Sequence, residues 1–256
     1  MKKIVAIGGG ENGRYLEDGS QTLYETKLMD KEIIRLTGKE HPNYLFIAHA
    51  MSFSEEIQDS YYETMKKIYE GKYSCSCKCL KSKDLYNTKL INELVNWADI
   101  IYEGGGDTNA MIKLWKETGF DNILNEAWNN GKVICGISAG AVCWFNSCNS
   151  DAENNNFEVI NCLNWINIFM TPHCDEKGRY ESTKEQLKQN NMIGIMLSNC
   201  SALEIADDKY KIICSETNSS IQKGYVLKCY WENNIFYEER LESTNNYQPL
   251  NNLLSK

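Results

Sequence analysis

The 256-residue chain lacks the features that mark several classes of protein. No uninterrupted apolar run approaches the roughly 20 residues that a membrane-spanning helix needs, so we expect no contact with a membrane. The formal net charge is −8, and no cluster of lysine or arginine offsets it, which argues against nucleic acid as a partner. The first segment, Met1 to Gly8, is too short for a signal peptide and predicts a strand. A cytoplasmic protein is the resulting expectation.

The cysteines also lack the pattern of a disulfide framework or a metal site. Their number, eleven, is odd, and most lie in apolar stretches where a reduced thiol behaves as a small hydrophobe. One dense group, Cys75-Ser76-Cys77-Lys78-Cys79, has a period of two, which places its three thiols on one face of a strand. Because no second Cys/His pair follows at finger-like spacing, we expect neither a metal nor another cofactor.

The chain does contain a repeated alternation of apolar strands and amphipathic helices. Strands are predicted over residues 3–7, 44–48 and 99–102, and helices over residues 26–35, 55–70, 89–97 and 110–117. This alternation predicts an α/β fold in which a mostly parallel sheet carries helices on both faces. Residues 146–156 predict a polar loop, and residues 193–240 predict β-hairpins toward the C-terminus. No linker or repeat interrupts the chain, so residues 1–256 are predicted to form a single domain.

The stretch from Lys132 to Phe145 is typical of a nucleophile elbow, in which a buried strand turns sharply into a helix. An apolar run ends there in Gly136-Ile137-Ser138-Ala139-Gly140. Glycines two residues before and after the serine avoid collisions with the adjoining strand and helix. The amides at the start of the following helix face any oxyanion that forms. Ser138 is therefore the candidate nucleophile.

A serine hydroxyl needs a base to take its proton, and the chain offers only three histidines. His41 lies beside a proline in a polar connection, which is typical of a surface residue. His49 follows a predicted strand and could reach the same edge of the sheet as Ser138. His173 follows a short apolar segment, 35 residues after Ser138, and is the candidate base. Because the histidine of α/β-hydrolases lies far downstream with an acid between, this short gap indicates a different serine-hydrolase lineage.

Two glycine-rich segments follow predicted strands. The run from Gly8 to Gly13 formally satisfies the dinucleotide pattern Gly-x-Gly-x-x-Gly, but no apolar helix follows it. We predict instead a flexible loop over the active-site edge. The run Gly104-Gly105-Gly106 lies at the carboxyl end of a strand, where parallel sheets bind ligands. Asp107 and Thr108 come next, and both are also typical caps of the helix that follows.

Three motifs, in this order and spacing, resemble dipeptidase E and its cyanophycinase relatives. They are the elbow from Gly136 to Ala141, the upstream segment from Gly104 to Thr108, and Thr171-Pro172-His173, and the resemblance extends over residues 3–214. The resemblance implies a glutamine-amidotransferase-like α/β fold in which serine replaces that fold's cysteine nucleophile. It also implies cleavage of peptides beside acidic residues, either Asp-X dipeptides or β-aspartyl-arginine links.

Carried onto this sequence, the resemblance implies that Ser138 is the nucleophile and that His173 is the general base. It implies an oxyanion hole formed by the backbone amides of Gly105 and Ala139, next to a loop that Asp107 and Thr108 shape around the substrate. The third catalytic residue stays open. The family places a carboxylate in the turn before the strand Ala202 to Ile205, where this sequence has Ser198 and Asn199.

Asn199 can orient His173 through its side-chain oxygen, as an asparagine does in papain-like enzymes. It carries no charge, however, and would stabilise the imidazolium less well than a carboxylate. The other candidates for the third residue are Glu204, Asp151, Asp175 and Glu176.

An acidic specificity needs a cation near the serine. Arg179, six residues after His173, is the candidate, through bidentate contact with a carboxylate, and a solvated arginine at a helix start is the alternative. Asp151 is a further candidate for substrate contact. The chain is thus predicted to be a serine peptidase acting on short acidic peptides, and a homodimer is compatible with the sequence. A non-catalytic binding protein, favoured by Ser198 and Asn199 at the acid position, and an esterase or amidase are the alternatives.

Overall fold

The computed structural model describes residues 1–16, 18–51, 53–151, 156–216 and 223–256. The helices within them are α1 (Lys27–Thr37), α2 (Glu55–Tyr73), α3 (Thr88–Trp97), α4 (Thr108–Thr118), α5 (Phe120–Asn129), α6 (Ala139–Val142), α7 (Arg179–Asn190) and α8 (Leu250–Leu254), with a 3₁₀ helix over Ser82–Tyr86. The strands are β1 (Lys3–Ile7), β2 (Asn43–Ile47), β3 (Ser76–Leu80), β4 (Ile100–Glu103), β5 (Val133–Ile137), β6 (Phe145–Asp151), β7 (Phe157–Asn161), β8 (Ile166–Thr171), β9 (Gly194–Leu197), β10 (Ser201–Ala206), β11 (Lys209–Cys214), β12 (Val226–Glu232), β13 (Ile235–Leu241) and β14 (Gln248–Pro249). No helix in these described ranges has the length and apolar character needed to cross a membrane.

The larger of two sheets has its strands in the order β14-β11-β10-β1-β5-β4-β2-β3. From β1 to β3 in this order the neighbours are parallel, while β10, β11 and β14 pair antiparallel. The parallel strands are almost wholly apolar. Helices that connect these strands pack on both faces of the sheet, so side chains on both faces are buried. The predicted α/β fold, with a mostly parallel sheet between helices, is confirmed.

The smaller sheet, which the sequence did not predict, has the strand order β13-β12-β9-β8-β6-β7. The predicted polar loop over residues 146–156 is wrong where it overlaps β6, and residues 152–155 lie outside the described ranges. Polar side chains of β6 find partners on another element. Asn149 is fully buried and donates to Ser182 Oγ at 3.0 Å and to Gln186 Oε1 at 2.9 Å on α7. The hairpins predicted toward the C-terminus are present as β10–β11 and β12–β13.

The two sheets share one hydrophobic core. Ile4 and Ile134 of the larger sheet pack in the same cluster as Ile168 and Met170 of β8, together with apolar residues of α3, α4 and α5. Helices α1 and α2 cover a second cluster on the opposite face of the larger sheet. Helix α7 covers the outer face of the smaller sheet. Because this shared core fixes one sheet against the other, strand ends from both sheets can form a single site.

The carboxyl ends of five strands meet at one edge of the molecule. Three ends belong to the larger sheet and two to the smaller one, and they lead into Gly8 (β1), Gly104 (β4), Ser138 (β5), the turn containing His173 (β8) and the turn containing Asn199 (β9). Backbone hydrogen bonds join these ends across the sheets. The amide of His173 donates to Gly8 O at 3.3 Å, and the amide of Cys200 donates to Gly9 O at 2.9 Å.

Candidate active site

Ser138 lies at the sharp turn between β5 and α6. Its backbone has φ 56° and ψ −116°, a strained conformation for a residue with a side chain. A Cβ on Gly136 would lie 2.4 Å from the carbonyl oxygen of Gly140, and one on Gly140 would lie 2.3 Å from that of Glu103. Both glycines are therefore sterically required, since neither backbone oxygen can move without distorting the turn.

Three side chains form a continuous hydrogen-bonded chain at this edge. His173 Nε2 lies 3.0 Å from Ser138 Oγ, and His173 Nδ1 lies 2.8 Å from Asn199 Oδ1. Because an amide oxygen only accepts, the imidazole proton resides on Nδ1, and Nε2 is free to accept from the serine hydroxyl. The His173 side chain is 21% exposed, so a substrate can reach it. The structure thus brings together Ser138, His173 and Asn199.

The glycine run after β1 lies directly against this chain. A Cβ on Gly9 would lie 2.1 Å from Asn199 Oδ1 and 2.4 Å from Cε1 and Nδ1 of His173. The predicted loop is present at this edge, but Gly8 and Gly9 are fixed in place, because their carbonyl oxygens accept hydrogen bonds from the amides of His173 and Cys200. Sequence reasoning missed this role of Gly9, although the glycine run was the available signal.

The second glycine run turns β4 into α4. Asp107 is the N-cap of α4, where its Oδ1 accepts from the amide of Ala110 at 2.9 Å, and Thr108 is buried. The amide of Asp107 donates to the carbonyl oxygen of Ala50 at 2.6 Å, which ties this turn to the one after β2. Asp107 therefore caps the helix that follows this turn, and Thr108 is buried in the first turn of that helix.

Gly105 lies beside the nucleophile, since a Cβ there would be 3.3 Å from Ser138 Cβ. Its amide donates to the hydroxyl of Tyr61 at 3.3 Å. Burial raises the pKa of Tyr61 to about 12, so the hydroxyl keeps a proton that it can donate in turn. Sequence reasoning predicted the helix over residues 55–70 but missed this contact of Tyr61. Ala139, the other predicted oxyanion donor, begins α6, and the first amides of a helix have no partner inside it.

Glu103, directly before the second glycine run, carries a fully buried carboxyl group. Its Oε1 accepts from the amide of Ala50 at 3.1 Å, and its Oε2 has no hydrogen-bond partner within the described part of the chain. Burial raises the pKa of Glu103 well above its usual value. This buried carboxyl group precedes the turn that carries Gly105 and is bonded to the turn after β2.

A cavity of about 450 Å³ lies between the loop after β1, helix α2 and the end of β5, where it reaches Ile137, the residue before Ser138. Its lining residues are Gly10, Glu11, Asn12, Arg14, Met51, Ile57, Ser60, Tyr61, Thr64, Met65, Tyr102 and Ile137. Arg14 is the one cation among them. Its Nε lies 3.5 Å from Glu11 Oε2, and its side chain is 52% exposed. The cavity is thus lined by both apolar and polar side chains, as is common in ligand sites.

Arg179 is buried, with 2% of its surface exposed, so the alternative of a solvated arginine at a helix start is wrong. Its Nη2 lies 3.0 Å from Glu176 Oε2 and 3.3 Å from Asp151 Oδ1. Its guanidinium also packs over the ring of Phe157, 4.7 Å from the centroid. Two carboxylates already balance the charge of Arg179, and Asp151 is one of them.

The other carboxylates considered for the third catalytic position lie in different surroundings. Asp175 accepts hydrogen bonds from Asn199, which is itself bonded to His173. Glu176 Oε1 lies 3.8 Å from His173 Nδ1, beyond hydrogen-bond distance. Glu204 is buried in β10 beside basic and tyrosine side chains of α1, β11 and the C-terminal segment, and burial raises its pKa to about 7.

Two further side chains singled out in the sequence have structural surroundings. His49 is buried: its Nε2 donates to Leu80 O at 2.8 Å, and its Nδ1 accepts from Trp115 Nε1 at 2.9 Å. Burial lowers the pKa of His49 to about 4, so the ring is neutral and packs under the sheet edge. The Ser198 hydroxyl is also tied to the backbone, because it donates to Asn199 O at 2.8 Å.

The three clustered cysteines lie on one side of β3, in or against the core that α1 and α2 cover. Cys75 is buried, and Cys77 and Cys79 are half-buried. All eleven cysteines are free thiols. No group of three or more potential ligands that could hold a metal occurs in residues 1–16, 18–51, 53–151, 156–216 and 223–256.

Comparison with known proteins identifies related chains. A family model described as peptidase family S51 matches residues 16–213. The chain is 30% identical over 214 residues to the uncharacterized peptidase YgaJ of Bacillus subtilis (strain 168). The aligned region covers 82% of this chain and 85% of that protein.

Two solved structures are similar in fold. A peptidase from an acI-B1 Actinobacterium has a TM-score of 0.69 at 18% identity and covers 97% of both chains. A putative peptidase E protein from Listeria monocytogenes EGD-e has a TM-score of 0.59 at 20% identity and covers 83% of this chain and 98% of its own. The resemblance to dipeptidase E inferred from three short motifs is confirmed. With a family model matching most of its length and a relative 30% identical over 214 residues, this chain belongs to peptidase family S51.

Proposed function

We propose that the protein is a serine peptidase that cleaves short peptides through an acyl-enzyme on Ser138. The observation that carries the proposal is the chain of hydrogen bonds from Ser138 Oγ through His173 to Asn199, at 3.0 Å and 2.8 Å. Membership of a peptidase family supports the same reaction class. The backbone strain at Ser138 also supports it, since strain of this kind is typical of an exposed nucleophile.

In this mechanism Ser138 Oγ attacks the carbonyl carbon of the scissile bond while His173 Nε2 takes its proton. The carbonyl oxygen becomes an oxyanion, which the amides of Gly105 and Ala139 stabilise. The Gly105 amide then exchanges its bond to Tyr61 for one to the oxyanion. Collapse of the intermediate breaks the C–N bond, and His173 passes its proton to the leaving amine. A water molecule then attacks the ester carbon while His173 takes its proton, and the C–O bond to Ser138 breaks, which releases the serine.

Asn199 at the third position is the feature that favours the alternative, a binding protein without turnover. An amide holds the imidazole in the correct tautomer but supplies no charge to the imidazolium. The clearance that Gly9 leaves for His173 and Asn199 favours the enzyme, because a binding protein has no need of this contact. We therefore place Asn199 as the third catalytic residue.

For the substrate we propose peptides with an acidic residue beside the scissile bond, with Arg14 as the cation that receives it. Arg14 lines the cavity that reaches Ile137 and Tyr61, is half-exposed, and lies 3.5 Å from Glu11, a distance longer than a hydrogen bond. Arg179 is less suited to this role, because Glu176 and Asp151 already pair with its guanidinium. Its contribution would be to hold the His173 turn against β6.

Labelling with a fluorophosphonate probe and turnover of a dipeptide panel test the proposal together. The panel contains Asp-X, β-aspartyl-X and Ala-X dipeptides, and the variants are Ser138→Ala and Arg14→Gln. We expect the wild type to be labelled and to cleave Asp-X peptides, and Ser138→Ala to lose both activities. Arg14→Gln should raise KM for Asp-X about tenfold and leave Ala-X unchanged, because only the acidic side chain loses a charged partner.

The outcomes separate the three functions. A wild type that is neither labelled nor active would contradict the peptidase and favour the binding protein. Labelling of Ser138 without cleavage of any dipeptide would retain the serine hydrolase and favour an esterase or amidase. Equal effects of Arg14→Gln on Asp-X and Ala-X would contradict the role of Arg14 in specificity.

A further inference from the structure

We propose that Asp175 is a positioning residue that sets the orientation of the Asn199 amide and, through it, the tautomer of His173. The inference rests on the proposed function, because it concerns the same base. A carboxylate was expected to contact His173 directly. In this proposal the negative charge lies instead on Asp175, which contacts Asn199, and Asn199 contacts His173.

Asp175 holds Asn199 through both its backbone and its side chain. The backbone amide of Asn199 donates to Asp175 Oδ1 at 2.8 Å. The side-chain nitrogen Nδ2 of Asn199 lies 3.3 Å from Oδ1 and 3.2 Å from Oδ2 of the same carboxylate. The residues that follow β8 and β9 are thereby joined at the point where His173 and Asn199 meet.

The chemistry of these groups fixes which end of the amide faces His173. An ionised carboxylate only accepts hydrogen bonds, so Asp175 requires the NH₂ group of Asn199 on its side. The oxygen of the amide is then the atom left for His173 Nδ1, at 2.8 Å. Because that oxygen only accepts, His173 must carry its proton on Nδ1, and Nε2 is left to accept the proton of Ser138.

Without Asp175 the Asn199 amide has no such constraint. Rotation of the amide group by 180° about the Cβ–Cγ bond would point its NH₂ group at His173 Nδ1. Because NH₂ only donates, Nδ1 would then have to accept, and the imidazole proton would be on Nε2. A histidine protonated on Nε2 cannot take the proton of Ser138. The loss expected on removing Asp175 is therefore a loss of base strength, and substrate binding should remain.

Glu176, the neighbouring carboxylate, does not meet the same requirement. Its Oε1 lies 3.8 Å from His173 Nδ1, and its Oε2 pairs with Arg179 at 3.0 Å. Glu176 thus forms an ion pair with Arg179, while Asp175 accepts hydrogen bonds from Asn199.

Exchange of the two side chains provides the sharpest test. In the double variant Asp175→Asn/Asn199→Asp, the carboxylate contacts His173 directly and the amide stands behind it. The amide oxygen at position 175 can still accept from the backbone amide of residue 199, and its NH₂ group can donate to the new carboxylate. In Asn199→Asp alone, two carboxylates meet where a hydrogen bond was, and their repulsion disfavours the ionised pair.

The measurement is the rate of fluorophosphonate labelling at Ser138, which needs no knowledge of the natural substrate. We expect Asp175→Asn, Asp175→Ala and Asn199→Asp each to slow labelling about tenfold, and the exchanged pair to recover to within about threefold of the wild type. Asp208→Asn is the matched control, because Asp208 is an exposed residue in the β10–β11 turn at the opposite end of the sheet. Thermal unfolding of every variant checks that the fold is intact.

A second measurement reads the tautomer itself. The ¹⁵N resonances of the His173 ring distinguish a proton on Nδ1 from one on Nε2, and we expect Asp175→Asn to shift the population toward Nε2. Folded Asp175→Asn with the labelling rate and tautomer of the wild type would overturn the proposal. So would an exchanged pair that is folded but no faster than the single variants, since Asp175 would then be only a structural tie. A wild type that is not labelled at all contradicts the proposed function instead, and the tautomer measurement still tests Asp175.

Discussion

The substitution Gly9→Ala tests directly whether catalysis depends on the contact between His173 and Asn199. The added Cβ would lie 2.1 Å from Asn199 Oδ1 and 2.4 Å from His173 Cε1 and Nδ1. Gly9 does not have a positive φ, so the backbone itself accepts alanine without strain. The whole effect of the methyl group therefore falls on the two side chains that it meets.

The size of the effect follows from these distances. Ordinary van der Waals contact begins near 3.4 Å, so the ring and the amide must each retreat by about 1 Å. A misplacement of about 1 Å in a catalytic group costs roughly 100-fold in rate, which corresponds to about 2.7 kcal/mol of activation free energy. The free energy of unfolding should fall by about 1–3 kcal/mol, the usual cost of overpacking.

Labelling rate, kcat and thermal unfolding of Gly9→Ala measure these quantities, with Gly71→Ala as the matched control. Gly71 lies within α2, and a Cβ there meets no atom within 4 Å. Its replacement should leave activity unchanged and raise the free energy of unfolding by about 0.5–1 kcal/mol, because alanine favours a helix over glycine. If Gly9→Ala retained wild-type kcat, the bond between His173 and Asn199 would not be needed for catalysis, and the reasoning would be refuted.

Two further predictions concern buried groups whose pKa values are displaced. Burial raises the pKa of Glu103, so the folded state holds the proton more tightly than the unfolded chain, which releases it above about pH 4.5. The wild type therefore loses stability as the pH rises above that value. Glu103→Gln has no such proton and should be more stable than the wild type at neutral pH, with the difference vanishing in acid. Urea unfolding at a series of pH values measures this difference, and a variant less stable than the wild type at neutral pH would contradict it. Burial lowers the pKa of His49 to about 4, so its stabilising contribution is full above about pH 6.5 and is lost as the pH falls toward 4. Roughly 2 kcal/mol of unfolding free energy should disappear between pH 7 and pH 5. His49→Gln should lose this part of the acid sensitivity, and an unchanged pH dependence would count against the assignment.

The features that could be predicted from the sequence are those that depend on short stretches of chain. Gly136 and Gly140 indicate the elbow, because a Cβ atom at either position would collide with backbone atoms of the same turn or of the neighbouring strand. The parallel sheet follows from alternating strands and helices, and its topology places the strand ends together. The position of His173 after an apolar segment was enough to bring it to the same edge.

The features that could not be predicted depend on partners far away in the chain. Residues of β6 are polar and resemble a loop, yet Asn149 is buried because α7, more than thirty residues later, supplies its hydrogen-bond partners. Arg179 was predicted either to bind an acidic substrate or to be solvated at a helix start, yet two carboxylates of the chain pair with it. Periodicity reports which face of an element is apolar, but it does not report which distant polar groups meet.

The bond between Ser138 and His173 joins two layers of the molecule that have no strand pairing with each other. Ser138 follows a strand of the larger sheet and His173 follows a strand of the smaller one, so the 3.0 Å between Ser138 Oγ and His173 Nε2 depends on how the two sheets pack against each other. Side chains such as Ile168 and Met170 pack in the core that the two sheets share. A slip of the layers too small to disturb either sheet would still disconnect the serine from its base. Loss of activity on heating should therefore precede loss of secondary structure.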